Sequence, residues 1–376
     1  MLLIVSMDIP YGNAAGVRVW EHDGRRGVSF SPDPHGGPEC LWFCFRISSP
    51  EGEIGALRLK MKNPDTTLGG GRPENFRPVI RRGEGEWERI GTGRVAERPD
   101  GRMSVIWDLD VPAPHCDVAF CYPYGAPEID ALLGDCGEAL RADGIGHSQG
   151  GRGLVRLSND YGTTERKRPG LYLVARQHAG EMPGSWVLDG FLREMVRLGS
   201  DAPLVWAVPL SNIDGIEWGD YGKDNFPYDL NRAWSTPPMR HETLCIRKDI
   251  ARWQARCRAE LAIDFHAPGG SEAAGAYCFT PTPQSDADMG SATARWAETI
   301  RHALGETYAA EEFLRTADYP SRWETMRFTQ FCWSQGVPAL TIETPYALSG
   351  ETVMTRERYR EMGSLIARRL SERLSG

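Results

Sequence analysis

The chain has 376 residues, 41% hydrophobic and 25% charged, with a formal net charge of −8. Such a composition excludes a disordered or fibrous chain, and the length suggests two or three domains. The negative balance argues against nucleic acid or an anionic membrane surface as the main partner.

The opening stretch Met1-Leu2-Leu3-Ile4-Val5-Ser6-Met7-Asp8 has no positive segment, and its apolar run is too short for a secretory leader. No stretch approaches the ~20 apolar residues that span a bilayer. The nine cysteines are odd in number and form no Cys-x-x-Cys pair. They read as reduced core thiols of a cytoplasmic protein.

In chain order, short apolar runs at 2–5, 41–47, 56–61, 103–107 and 118–121 alternate with turn clusters such as Ser31-Pro32-Asp33-Pro34 and Pro99-Asp100-Gly101. Regular short strands of this kind predict an antiparallel β-sandwich. Gly69-Gly70-Gly71-Arg72 lacks the strand–loop–helix setting of a phosphate-binding loop and reads as a flexible turn. A short helix is expected over 128–140. The glycine-rich run 144–151 marks a junction, giving domains 1–145 and 146–376, and His147 within it reads as a loop histidine. Beyond it, strands at 171–175, 204–209, 262–265 and 339–342 alternate with helices at 185–196, 243–261, 291–304 and 356–374. That alternation predicts an α/β domain whose buried mixed sheet carries helices on both faces.

Four strand ends carry chemically loaded residues. The first strand stops at Arg176, and His178 and Glu181 follow it with two residues between. An imidazole and a carboxylate so placed can converge on zinc, and a catalytic zinc takes three protein ligands plus one open position. His266 follows the strand at 262–265 and supplies the third ligand. Glu343 closes the strand at 339–342, where a solvated carboxylate is unexpected, and is placed to move a proton between water and a leaving amine. Taken singly, His-x-x-Glu is common, His266 fits a core histidine and Glu343 fits half of an ion pair. The ordered conjunction, with Asp229-Leu230-Asn231-Arg232 between, carries the weight.

That order resembles the zinc carboxypeptidase superfamily, and within it the cytosolic carboxypeptidases. The likeness runs through Trp42-Phe43-Cys44-Phe45-Arg46, Phe120-Cys121-Tyr122-Pro123-Tyr124, Ser185-Trp186-Val187-Leu188-Asp189-Gly190-Phe191, Asn212-Ile213-Asp214-Gly215 and Asp229-Leu230-Asn231-Arg232. It implies a carboxypeptidase-like mixed sheet behind an N-terminal sandwich, with one Zn2+ per chain on His178, Glu181 and His266. It further implies Glu343 as general base and acid, Asn231 and Arg232 as the pair that binds a terminal carboxylate, and Asp229 as the group that fixes the tautomer of His178. Two positions depart from the family. Gly222 stands where a carbonyl-polarising arginine belongs, leaving Lys223 as the candidate electrophile, and Ile213 replaces a proline. Tyr319 is the candidate substrate-capping tyrosine. Arg315, Arg322 and Arg327 lie in the segment expected to form the side-chain pocket, where they would favour acidic side chains such as glutamate; solvated charges are the alternative.

The expected activity is zinc-dependent hydrolysis of a C-terminal or γ-linked amide, with a peptide or amino-acid amide as substrate and no nucleic-acid or membrane partner. A small-molecule amidohydrolase, deacylase or biosynthetic tailoring hydrolase using the same zinc is the second reading, motivated by Gly222. A non-catalytic binding protein is the third.

Overall fold

The computed structural model describes residues 3–22, 25–35, 37–225, 228–281, 286–317 and 325–375. Ten strands precede residue 120: β1 (Ile4–Ser6), β2 (Ala15–His22), β3 (Arg25–Ser31), β4 (Cys44–Ser48), β5 (Gly55–Lys62), β6 (Val79–Arg82), β7 (Trp87–Arg89), β8 (Arg94–Glu97), β9 (Met103–Val111) and β10 (His115–Ala119). They form two five-stranded sheets, ordered β1-β4-β10-β6-β7 and β2-β3-β5-β9-β8. Side chains alternate across each strand, so in β5 Leu57, Leu59 and Met61 are buried while Arg58, Lys60 and Lys62 keep contact with solvent. Phe30 meets Phe43 and Phe45 edge to face in the core, at centroid distances of 4.8 and 4.7 Å.

The sandwich departs from the expected all-antiparallel pattern in one place. β3 and β5 pair in parallel, because the chain visits the opposite sheet as β4 before returning. The glycine run expected as a flexible turn is a turn docked on other backbone. Gly69 takes a φ of +65°, and a Cβ there would lie 2.4 Å from the Cα of Gly269. Gly270 N–H donates to Leu68 O at 3.0 Å and Ser271 N–H to Gly69 O at 3.1 Å.

The second part begins with helix α1 (Ala126–Cys136) and is built on eight strands: β11 (Arg141–His147), β12 (Gly153–Ser158), β13 (Pro169–Ala175), β14 (Leu204–Val208), β15 (Arg258–His266), β16 (Ala276–Thr280), β17 (Ala309–Thr316) and β18 (Ala339–Glu343). Their order is β11-β12-β14-β13-β15-β18-β16-β17. The central four, β14-β13-β15-β18, are parallel, whereas β11, β12 and β16 enter antiparallel. Helices α2 (Met182–Leu198), α3 (Ile213–Trp218), α4 (His241–Gln254), α5 (Ala287–Tyr308) and α6 (Phe328–Ser334) lie between these strands in the chain, and α7 (Arg356–Ser375) follows them.

Period-two alternation splits the central strands between two cores. Leu171, Leu173 and Ala175 of β13 join the core shared with α2, α7 and the sandwich. Tyr172 and Val174 face the core of α4 and α6. A strand buried on both faces must be apolar throughout, which is why these runs stand out in the sequence.

Two element expectations need correction. The helix expected over 243–261 ends at Gln254, and β15 starts at Arg258 rather than 262. Pairing of Pro169 with Arg258 and Gly170 with Ala259 draws these residues into the sheet although their composition suits a helix. Strands β11, β12, β16 and β17 were not expected, being polar, glycine-containing or peripheral. The line at 145/146 falls inside β11, whose Gly144 and Gly146 flank a register shift in the pairing with β12. All nine cysteines are free thiols. No helix among the described residues is long and apolar enough to cross a membrane.

Candidate metal centre

Because β13, β15 and β18 are parallel neighbours, their C-terminal ends lie at one sheet edge. Ala175 sits opposite Phe265, and His266 opposite Glu343. Clefts beyond such strand ends are where α/β folds gather ligands. The chain leaves β13 through Arg176, held at a φ of +62°. Its buried guanidinium donates from Nε to Ala179 O and from Nη1 to Tyr124 O, both at 2.7 Å, fastening the turn that carries His178. Burial lowers this arginine to about 10. Glu181 is the N-cap of α2, where the helix dipole favours a carboxylate.

Ligand atoms of His178, Glu181 and His266 lie within 4.8 Å of one another, and all three residues are buried. His178 Nδ1 is 2.8 Å from Glu181 Oε1, His266 Nδ1 is 2.7 Å from Glu181 Oε2, and the two Nδ1 atoms are 3.2 Å apart. Both imidazoles therefore turn Nδ1 inward. The outward nitrogens face carboxylates: His178 Nε2 lies 3.2 Å from both oxygens of Asp229, and His266 Nε2 lies 2.8 Å from Asp264 Oδ2. Asp229 is itself held by N–H groups of Asn231 at 2.7 Å and Asp224 at 3.1 Å. Two imidazoles and a carboxylate, each ring oriented by a second carboxylate, form a donor set that fits zinc.

The charges are strongly coupled in the metal-free chain. Burial opposes the protonated form of His178, but Glu181 and Asp229 outweigh it and hold the ring up at about 9. For His266 burial is likewise outweighed, by Asp264 and Glu181, and the ring is held well above its usual value. Burial pushes Glu181 and Asp229 up, yet the imidazoles bring both well below the carboxylate range. Glu343 behaves differently. Burial raises it to about 7, with His266 and Lys223 pulling down and Glu181 pushing up. Its Oε2 is buried without a hydrogen-bond partner among the described residues.

The remaining predicted residues are placed as follows. Lys223 stands in the loop before Asp229, close enough to Glu343 to bias its proton. Gly222 has a φ of +84°, and a Cβ there would lie 2.5 Å from the backbone N of Ala179. Asn231 turns its Oδ1 to the N–H of Phe328 at 3.1 Å and its Nδ2 toward His266 Nε2 at 3.2 Å. Arg232 is buried beside it, donates from Nη1 to Asn231 O at 2.9 Å, and helps to lower Asp229. Arg327 donates from Nη1 to Ala317 O at 2.8 Å. Arg315 covers the ring of Tyr277 at 3.6 Å, and Tyr277 is the cross-strand neighbour of Glu343. Tyr319 and Arg322 lie outside the described residues.

Asp264 was not singled out from the sequence. The available signal was alternation: two positions before His266 on one strand, it faces the same side of the sheet. It also accepts from Gln177 Nε2 at 2.5 Å, and Gln177 Oε1 accepts from Trp234 Nε1 at 2.7 Å. Asn212 braces the same turn, its N–H donating to Arg176 O at 3.0 Å.

The chain is similar to mouse cytosolic carboxypeptidase 3, 26% identical over 251 residues that cover 58% of this chain and 24% of the relative. With cytosolic carboxypeptidase 2 of Danio rerio it shares 28% identity over 282 residues, covering 66% of this chain and 39% of the relative. It thus spans well under half the length of these curated relatives. Among solved structures, a metallo-carboxypeptidase from Burkholderia cenocepacia aligns with a TM-score of 0.76 over 98% of both chains at 17% identity. A metallo-carboxypeptidase from Pseudomonas aeruginosa aligns with a TM-score of 0.73, again over 98% of both chains and at 17% identity. These share the fold. Residues 127–320, just over half of the chain and spanning His178 through His266, match the zinc carboxypeptidase family, and the chain belongs to it.

Proposed function

We propose that the chain is a cytoplasmic carboxypeptidase that holds one zinc ion on His178, Glu181 and His266 and hydrolyses the C-terminal amide of a peptide or amino-acid amide. The observation that carries this is the convergence of two Nδ1 atoms and a carboxylate at one sheet edge, with the Oε2 of Glu343, unpartnered among the described residues, buried on the next strand. A divalent ion in the triad supplies Lewis acidity and lowers the pKa of water that reaches it. Glu343 takes the proton of the attacking water and passes it to the leaving amine. Its raised value near 7 belongs to the metal-free chain, and added positive charge beside it favours the carboxylate needed for the first step. Arg232 receives the terminal carboxylate through its planar guanidinium. Asn231, whose amide lies against His266, keeps that ring and Arg232 in register. Lys223 stands in for the family arginine as the charge on the scissile carbonyl. Arg315 beside Tyr277 supports an acidic residue at the substrate's end, glutamate or a γ-linked amide included.

Metal analysis and a hydrolysis panel test this reading. The wild-type chain should hold about one zinc and cleave peptides ending in glutamate, lysine or leucine at different rates. His178→Ala should lose both metal and turnover. Glu343→Gln should keep the metal and lose about 10²–10⁴-fold in kcat. Full zinc retention by His178→Ala, or turnover of N-acyl amino acids without any peptide, would overturn it.

A further inference from the structure

The sandwich carries a concentrated positive surface that the hydrolytic site does not use. On the outer face of the sheet β2-β3-β5-β9-β8, Arg18 pairs with Ser29 and Ser29 with Lys60, so the three stand side by side across β2, β3 and β5. With Trp20, Lys62 and Arg98 they line a shallow groove of about 420 Å³. Four of these six side chains are cationic and none is acidic, on a chain whose formal charge is −8.

The face is only partly compensated from within. Lys62 Nζ donates to Gly16 O at 2.6 Å, and Arg98 reaches Asn63 Oδ1 at 2.7 Å and Asp100 Oδ2 at 2.6 Å. Among the described residues Arg18 and Lys60 enter no ion pair. The acid of this face lies at the other end, where Asp108 holds Arg58 at 2.6 Å and Arg25 at 3.8 Å. Partial burial and then Arg18, Arg98 and Lys60 pull Lys62 below its usual value, as expected for a cation crowded by cations.

We propose that this groove binds an acidic peptide segment in extended form. Adjacent strands lie about 4.8 Å apart, which sets Arg18 and Lys60, two strands apart, about 10 Å from each other. A chain extended as polyproline II advances about 3.1 Å per residue with three residues per turn, so carboxylates on every third residue share one side and repeat at about 9 Å, close to that spacing. Trp20 offers an apolar wall for the methylene stems. Duplex nucleic acid, with a charge every ~1.7 Å, would run past four cations along a chain whose formal charge is −8. The peptide as occupant rests on the peptidase reading, a substrate's upstream segment being one source; the preference for anions rests on the groove alone.

The test uses the full zinc-loaded chain and a fluorescein-labelled decapeptide with aspartate at every third position and glycine between. Its C-terminus is amidated so that it offers no terminal carboxylate to the hydrolytic site. Anisotropy should report binding at about 20 mM salt that weakens at about 200 mM. The Arg18→Glu, Lys60→Glu double variant should bind at least about tenfold more weakly, and the milder Arg18→Gln, Lys60→Gln pair should fall between, with unchanged thermal unfolding. The His178→Ala variant should bind the probe as the wild type does, which separates this groove from the metal centre. Equal binding by wild type and both double variants overturns the proposal. So does tighter binding of a single-stranded oligonucleotide of equal charge.

Discussion

A free imidazole has two equivalent choices of nitrogen to offer a metal, and in this chain a carboxylate removes the choice from each ring. Asp229 occupies Nε2 of His178 and Asp264 occupies Nε2 of His266, so Nδ1 is what remains. Gln177 and Trp234 extend the second contact into the core. Asp264→Asn offers an amide in place of the carboxylate, weakening the bias toward a metal-ready Nδ1. Metal affinity should fall by about 10–100-fold, with the fold retained, in competition against a chelator; an unchanged affinity would remove Asp264 from the site. The same pairs couple binding to pH. With His178 held up at about 9 and His266 held well above its usual value, both rings are charged near neutrality in the metal-free chain. Binding should then release on the order of two protons and weaken as pH falls, read by calorimetry in buffers of different ionisation enthalpy. The sign reverses for folding without metal. The raised His178 contributes stability that is fully present below its unfolded value of about 6.5 and is lost as pH rises through about 9.

At the scale of elements, the loop 219–225 supports the turn that carries His178, Tyr221 O accepting from Gly180 N–H at 2.8 Å. Gly222 cannot carry a side chain: its φ is +84° and its backbone lies against that of Ala179, next to His178. Charge reaches Glu343 from Lys223 instead. Gly222→Ala should cost about 2 kcal/mol from backbone strain alone and loosen the turn at Ala179. Urea midpoints measure the first effect and zinc affinity the second; a neutral substitution would mean that the loop does not support the turn. The elements that carry the ligands were legible because β13, β15 and β18 are buried on both faces and so read as continuous apolar runs. Peripheral β11, β12, β16 and β17 are polar or broken by glycine, and only their partners make them strands.

At the scale of the molecule, the sandwich is a wall of the candidate metal centre. Trp42 packs at Gly180, Asn13 Nδ2 donates to Gly219 O at 2.9 Å, His35 Nδ1 meets Asp220 Oδ1 at 2.7 Å, and Tyr124 O receives Arg176. The ring of Phe120 lies 4.8 Å from that of Tyr346, three residues beyond Glu343, within one continuous core. A fragment of residues 126–376 loses these partners and exposes that core. It should show no cooperative unfolding and no tight zinc site by circular dichroism and metal titration. A fragment that folds and binds zinc would show the sandwich to be dispensable.

The sequence alone singled out the candidate site residues and their positions at strand ends, because burial demands apolar strands and leaves His178, Glu181, His266 and Glu343 conspicuous where those runs stop. It also determined the sandwich, through short strands and turn chemistry. What only the tertiary structure decided is orientation and neighbourhood. Period-two alternation places Asp264 on the side of His266, but only packing brings Gln177 and Trp234 to it. Strand register sets Glu343 opposite His266, and the parallel return of β5 beside β3 gathers Arg18, Lys60 and Lys62 on one outer face. Such pairings join residues tens of positions apart, and local periodicity carries no record of which strand will lie beside which.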